Sequence, residues 1–351
     1  MADHVATLIA LVTLVALAAA AAAGAAATRG ERGAVFRDGE FVNLDEGPER
    51  GFGDFLKWIG SRKPGAWDEW REQPPGPPPP AEVPKGSIRV TWVNHSTVLI
   101  QIDGWNILTD PIWSERASPV SFAGPRRHAP PGIRFEDLPR IDAVLVSHNH
   151  YDHMDLPTLS RLDARSNPRV LTGLGGDKHV RKVGIRNVGA LDWWQREELG
   201  GLAITFVPAQ HFSQRGVGDH NAALWGGFVV EGSGGRVFFA GDTGFGPHFA
   251  FIRERLGPMT VALLPIGAFR PEWFMGRVHM SPGDAVKAHA VLEAGTSIAI
   301  HHSTFQLAED AQDEPVALLK AAREKAGLAP ARFLAPAMGE GIDITASQGT
   351  R

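Results

Sequence analysis

Short apolar runs separated by turn residues set the rhythm of the chain from Ile88 onward. Ile88 to Val93, Val98 to Ile102 and Asn106 to Thr109 follow one another closely, which predicts a meander of three strands. Ala143-Val144-Leu145-Val146 is a continuous apolar run with the length of a buried strand. Similar runs at Val170-Leu171, Ala203 to Val207, Phe228 to Glu231, Val237 to Ala240, Val261 to Leu264 and Ile298 to Ile300 predict later strands. Helical periodicity falls between them, at Leu156 to Leu162, Phe249 to Leu256, Pro282 to Leu292 and Pro315 to Ala326. A meander followed by strands mixed with helices predicts an α+β fold, its sheets covered by helices.

Upstream the pattern differs. Val5 to Ala27 is uncharged and long enough to span a bilayer, and its end through Ala25-Ala26-Ala27 offers small-residue cleavage sites. The segment reads as a signal or membrane anchor. Met1 to His4 lacks Lys and Arg, whereas Arg29, Arg32 and Arg37 follow the run, which favours an uncleaved anchor over export by a cleaved signal. Residues 28 to 50, polar and Gly-rich, read as a linker. Phe52, Phe55, Leu56 and Ile59 then follow helical spacing beside Trp58, predicting a helix that packs on the main domain or lies among lipid headgroups. Pro74 to Pro80 holds six prolines in seven positions, a stiff polyproline spacer. The expected organisation is therefore 1–27 signal or anchor, 28–85 linker, helix and spacer, and 86–345 catalytic domain.

Composition narrows the function. An apolar content of 43% with 21% charged residues is globular, and a net charge of -4 without a long basic run makes nucleic acid an unsuitable partner. The absence of cysteine excludes disulfides and thiolate ligands, so a metal must be held by nitrogen and oxygen.

Such groups collect where the predicted strands end. Ala143 to Val146 leads through Ser147 into His148-Asn149-His150-Tyr151-Asp152-His153, three imidazoles and a carboxylate in six positions. A buried strand holds its end rigidly while the following turn reaches solvent, a combination that suits a catalytic metal site. Ala203 to Val207 leads into Pro208-Ala209-Gln210-His211, Val237 to Ala240 into Gly241-Asp242-Thr243-Gly244, and Ile298 to Ile300 into His301-His302. Seven candidate ligands thus stand on four strand ends, expected along one sheet edge.

These blocks resemble the metallo-β-lactamase superfamily, and within it the N-acylphosphatidylethanolamine-hydrolysing phospholipase D family. The resemblance rests on Trp92-Val93-Asn94-His95-Ser96-Thr97, Leu108-Thr109-Asp110-Pro111-Ile112, Gly124-Pro125-Arg126-Arg127 and Ser147 to Asp155. It extends through Pro208 to His211, Gly241 to Gly244 and Ala299-Ile300-His301, with Phe41-Val42-Asn43 at its start, over roughly residues 36 to 345. It implies a four-layered αβ/βα sandwich of two mixed sheets flanked by helices, with two zinc ions per chain. By motif, His148, His150 and His211 would hold one ion, Asp152, His153 and His301 the other, and Asp242 both. Such a pair brings the pKa of a shared water near neutrality and neutralises phosphodiester charge.

The resemblance further implies that Asp152 orients the nucleophile and that His279 stands near the leaving group or phosphate, a loop-packing histidine being the alternative. Asp110 reads as a carboxylate orienting a ligand imidazole, a turn-starting Asp before Pro111 being the alternative. His95 lies in a turn with the same suggested role, and Arg126, Arg127 and Arg215 are candidate phosphate contacts. His301 is preferred as the last ligand because it aligns and ends the strand first, with His302, which stands where an aromatic residue commonly follows, as its rival, and Ser303 replaces a glycine. Tyr151 occupies the position of a Glu found in iron-dependent, oxygen-reducing members, which disfavours that chemistry. The implied reaction releases phosphatidic acid and an N-acylethanolamine from a phospholipid, which with the leading apolar segment makes a membrane the expected partner. A metal-dependent lactonase or another small-ester hydrolase would share every ligand.

Overall fold

The structure, a computed structural model, describes residues 33–47 and 51–344. One sheet takes β3 (Ile88–Asn94), β4 (Thr97–Ile102), β5 (Trp105–Thr109), β6 (Ala143–Val146), β7 (Arg169–Gly173), β8 (Val188–Leu191) and β16 (Gly341–Ile344). Its order is β16-β3-β4-β5-β6-β7-β8, antiparallel through the meander and parallel from β5 to β8. The other takes β9 (Arg196–Leu199), β10 (Leu202–Val207), β11 (Gly227–Gly232), β12 (Gly235–Phe239), β13 (Val261–Pro265), β14 (Thr296–Ile300) and β15 (Phe333–Leu334). Here β9 to β12 are antiparallel and β12 to β15 parallel.

Among the described residues the helices are α1 (Phe52–Ser61), α2 (Leu156–Ser166), α3 (Asp177–Lys182), α4 (His248–Leu256), α5 (Glu272–Met275), α6 (Pro282–Val291) and α7 (Glu314–Lys325). Parallel strands cannot be joined by hairpins, so α2, α3, α4, α6 and α7 carry the crossovers. Strand alternation divides the apolar side chains among three cores. Ile100, Leu145, Phe228, Phe239 and Leu263 fill the space between the sheets. Leu99, Val144 and Val146 face Leu159 and Leu162 of α2, whereas Ala262 and Leu264 face Phe249 of α4 and Ala285 of α6. Three cores between four layers give the αβ/βα sandwich. Strands buried on both faces explain the continuous apolar runs of the sequence.

The region expected to be linker is partly built into the fold. Val35–Arg37 (β1) and Glu40–Val42 (β2) form a hairpin whose Phe41 is buried in the inter-sheet core. Nor is the proline-rich stretch a free spacer. Gly76 donates its N–H to the Gly132 carbonyl at 2.8 Å, and the Pro80 carbonyl accepts from Gln101 Nε2 at 2.8 Å. Helix α1 is docked by Trp58, which stacks on Phe274 at 5.0 Å, while Phe55, Leu56 and Ile59 remain exposed. The expected anchor, Val5 to Ala27, lies outside the described residues. Among those described, no helix is long and apolar enough to cross a membrane.

Candidate metal centre

The strand ends converge as their order requires. β6 is two strands from β4 in one sheet, β10, β12 and β14 belong to the other, and all four point their C-terminal ends to one edge. Three residues there have left-handed backbone: Asp110 (φ 33), His95 (φ 44) and His301 (φ 57). For side chains with a Cβ this conformation is strained, and such strain collects at functional sites. Gly241 also has positive φ (62), and a Cβ there would fall 2.6 Å from that of Ser147. Glycine lets Asp242 approach the β6 end across the sandwich.

Two groups of donors result. His148 Nε2 lies 2.8 Å from His150 Nδ1, which lies 3.3 Å from His211 Nε2. Asp152 Oδ2 is 3.0 Å from His153 Nε2 and 3.6 Å from His301 Nε2. Asp242 Oδ2 joins the groups, 3.1 Å from both His153 Nε2 and His301 Nε2 and 3.9 Å from His211 Nε2. All seven residues predicted as ligands are therefore brought together. His148, His153, His211, Asp242 and His301 are buried, while His150 and Asp152 are partly exposed and open the centre to solvent.

Surrounding groups aim the ring nitrogens. His153 Nδ1–H donates to Asp110 Oδ2 at 2.7 Å. The same carboxylate accepts from Ser147 N (2.7 Å) and Ser147 Oγ (2.6 Å), and Ser147 Oγ in turn accepts from His148 Nδ1–H at 2.9 Å. His211 Nδ1–H donates to the Val278 carbonyl at 3.0 Å. Each of these bonds leaves Nε2 facing the cluster, the way histidines are oriented for metal binding. Asp110 thus lies between Ser147 and the His153 ring. His95 Nε2–H donates to Asp152 Oδ2 at 2.8 Å and orients that carboxylate.

The electrostatics fit a cation. Burial pushes His148 and His211 well below 6.5 and His150 down to about 4, so their lone pairs are bare at neutral pH. At Asp152 and Asp242 burial opposes ionisation, but the neighbouring His153 and His301 outweigh it and hold both well below the usual carboxylate range. Burial likewise opposes charge on His153 and His301, yet the two carboxylates raise His153 well above 6.5 and His301 to about 9. Buried His153 Nε2, His301 Nε2 and Asp242 Oδ1 lack an aligned hydrogen-bond partner. Buried anions and unpaired lone pairs of this kind suit a bound cation, and an all-nitrogen-and-oxygen set suits a transition-metal ion.

The remaining candidates separate. His279 borders the centre, its Nδ1 3.8 Å from Asp242 Oδ2. His302 turns away, stacking on Trp92 at 4.4 Å with Nδ1 bonded to Ser303 Oγ, which leaves the carboxylates to His301. Arg215 donates to the Asn149 carbonyl at 2.8 Å and covers the Tyr151 ring at 4.0 Å, beside the centre. Arg126 instead pairs with Glu115 at 2.6 Å, and the structure does not bring it to the cluster. Arg127 is buried and spends its donors on the Ser114 and Ile112 carbonyls. Two contributors had no role in the sequence reading. Ser147 precedes the first ligand and relays Asp110 to His148, and Asn43 bonds the main chain of His211 from 168 positions away.

Two seven-stranded sheets with clustered His and Asp at one edge have the metallo-β-lactamase fold, and with the family match that follows they make the chain a metal-dependent hydrolase. More particularly, residues 105–302 match the Beta-lactamase superfamily domain, and the chain belongs to that superfamily. It is 43% identical over 229 residues to N-acyl-phosphatidylethanolamine-hydrolyzing phospholipase D 1 of Caenorhabditis elegans. That match covers 62% of this chain and 64% of the nematode protein, so the chain spans less than two thirds of that relative. An uncharacterized protein of Mycobacterium tuberculosis is 37% identical over 326 residues, covering 90% of this chain and 86% of its own. The solved structure of Igni18, a metallo hydrolase of Ignicoccus hospitalis, has a TM-score of 0.57 at 24% identity, covering 74% of this chain and 100% of that one.

Proposed function

We propose that the chain is a dinuclear zinc phosphodiesterase acting on phospholipids of the N-acylphosphatidylethanolamine type. The position of Asp242 carries the reading, since one carboxylate oxygen faces imidazoles of both donor groups. His148, His150 and His211 would hold one ion, Asp152, His153 and His301 the other, and Asp242 both. When bound there, the pair supplies acidification of a water and neutralisation of charge on a phosphodiester.

The rest falls to the chain's own groups. Asp152, ionised at neutral pH and oriented by His95, faces the centre on its open side and is placed to orient a water. His279, lowered to about 4 chiefly by burial, is neutral at pH 7, and its unpartnered Nδ1 is available to a phosphoryl oxygen or the leaving group. Arg215 offers positive charge at the rim.

A lipid substrate is supported by the activity in the nematode relative's name and by the apolar rim. Phe122 and Val217 are exposed on the loops after β5 and β10, Trp273 is exposed on α5, and α1 adds Phe55, Leu56 and Ile59. Lys57, Arg62 and Lys63 accompany them, a pairing of apolar and basic groups that suits a bilayer with anionic headgroups. Substitution Asp242→Ala is expected to abolish turnover of bis(p-nitrophenyl) phosphate by the zinc-loaded protein while the fold survives. Undiminished turnover would rule the mechanism out. In a panel of N-acylated phosphatidylethanolamine, lactones and soluble diesters, a preference for lactones would make the protein a lactonase instead.

A further inference from the structure

The segment 43–45, remote in sequence from every candidate ligand, is bonded to two of the loops that form the centre. Asn43 Nδ2 donates to the His211 carbonyl at 2.8 Å, and His211 N–H donates back to Asn43 Oδ1 at 3.1 Å. The side-chain amide thus takes the place of a neighbouring strand, satisfying both main-chain groups of one residue beyond the end of β10. Trp225 Nε1 donates to the same Oδ1 at 3.1 Å and to the Ala209 carbonyl at 3.1 Å, which locks the amide's orientation. Two residues on, the Asp45 carbonyl accepts from Gln210 Nε2 at 3.1 Å and from the Arg277 guanidinium. Gln210 precedes His211, and Arg277 precedes Val278, whose carbonyl fixes the His211 ring.

We infer that residues 43–45 are a latch for one half of the metal centre, with Asn43 the positioning residue for His211. The inference rests on the dinuclear reading above. The His211 backbone is held by Asn43, its Nδ1 by Val278, and the loops bearing both are tied at the Asp45 carbonyl. The other half has supports of its own outside the latch: His153 and Asp152 are held by Asp110 and His95, and His301 N–H donates to the His95 carbonyl at 2.8 Å. Loss of the latch therefore weakens the site of His148, His150 and His211 and spares that of Asp152, His153 and His301. Asn43 touches no reacting atom; it acts through His211.

The test is zinc titration of the full-length chain after chelation, in competition with a chromophoric chelator. Asn43→Asp keeps the acceptor oxygen and the volume but sets an oxygen against the His211 carbonyl; Asn43→Ala removes both bonds. Wild type is expected to take up two zinc ions, and each variant to bind one of them about 10- to 100-fold more weakly, the usual scale for a group that orients a ligand. Conservative volume keeps Asn43→Asp informative if Asn43→Ala fails to fold. In a His150→Ala background, where only the other half is complete, Asn43→Asp leaves the remaining affinity unchanged. Arg37→Ala, which removes an exposed hairpin ion pair with Glu46, serves as the control and retains both sites. Two zinc ions bound as tightly by Asn43→Asp as by wild type would overturn the latch alone, as would equal weakening of both. A wild-type chain that took up no zinc would sink the dinuclear reading and the latch with it.

Discussion

Replacing Asp110 by Asn isolates one electrostatic role at the centre. Asn tolerates the left-handed backbone at this position (φ 33), so the exchange adds little strain. The carboxylate accepts three bonds, of 2.7 Å and 2.6 Å from Ser147 and 2.7 Å from His153 Nδ1. Asn can still accept from Ser147 N–H, but at the Oδ2 position it presents an amide that donates. His153 then has two options. It can keep its Nδ1 proton without an acceptor, at a cost of about 1–3 kcal/mol for a buried unmet donor. Alternatively it can keep its proton on Nε2, which removes the lone pair that a metal ion would need. Either way zinc binding in that half should weaken by about 10- to 100-fold, or roughly 1.4–2.7 kcal/mol, a range that agrees with the hydrogen-bond figure. Competitive zinc titration of wild type and Asp110→Asn reads this directly. Two unchanged affinities, with only a lowered melting temperature of the zinc-free protein, would refute the orienting role and leave Asp110 a residue of the turn.

The candidate centre was legible because the residues that form it follow strands buried on both faces. β6 and β10 are buried at every position, so their runs stand out, and the residue types after such runs announce themselves. What escaped notice lacks that contrast. β9, Arg-Glu-Glu-Leu, is an edge strand whose side chains are exposed or half exposed, and β15 spans two residues. α3 has six residues with only Val180 buried, too short to show a period. The hairpin β1–β2 buries Phe41 while Val35 and Phe36 are exposed, which reads locally as linker. Proline-rich backbone makes no internal hydrogen bonds, and here the unpaired carbonyls of Pro80 and Ala81 receive the amides of Gln101 and Asn106. Local composition gave the extended shape but not its tertiary partners. Asn43 and His301 show the same limit, since a contact across 168 positions and a reversal of φ at a strand end leave no trace in periodicity.

Two further outcomes bear on the surface and on the core. Exposed Leu56 and Ile59 are expected to support adsorption to vesicles containing anionic phospholipid, so Leu56→Glu with Ile59→Glu should reduce co-sedimentation without altering turnover of a soluble diester. Undiminished sedimentation would remove α1 from the membrane-facing rim. In the core, burial lowers His248 to about 3, so the folded chain keeps it neutral where the unfolded chain, near 6.5, takes up a proton. A depressed folded pKa means that stability is full above pH 6.5 and falls as pH drops toward 3. At pH 5 the loss from this group is about 2 kcal/mol. Chemical denaturation of the zinc-free protein at pH 7.5 and pH 5 should therefore show a smaller pH difference in His248→Gln than in wild type. Equal differences in the two proteins would mean that His248 is protonated in the fold despite its burial.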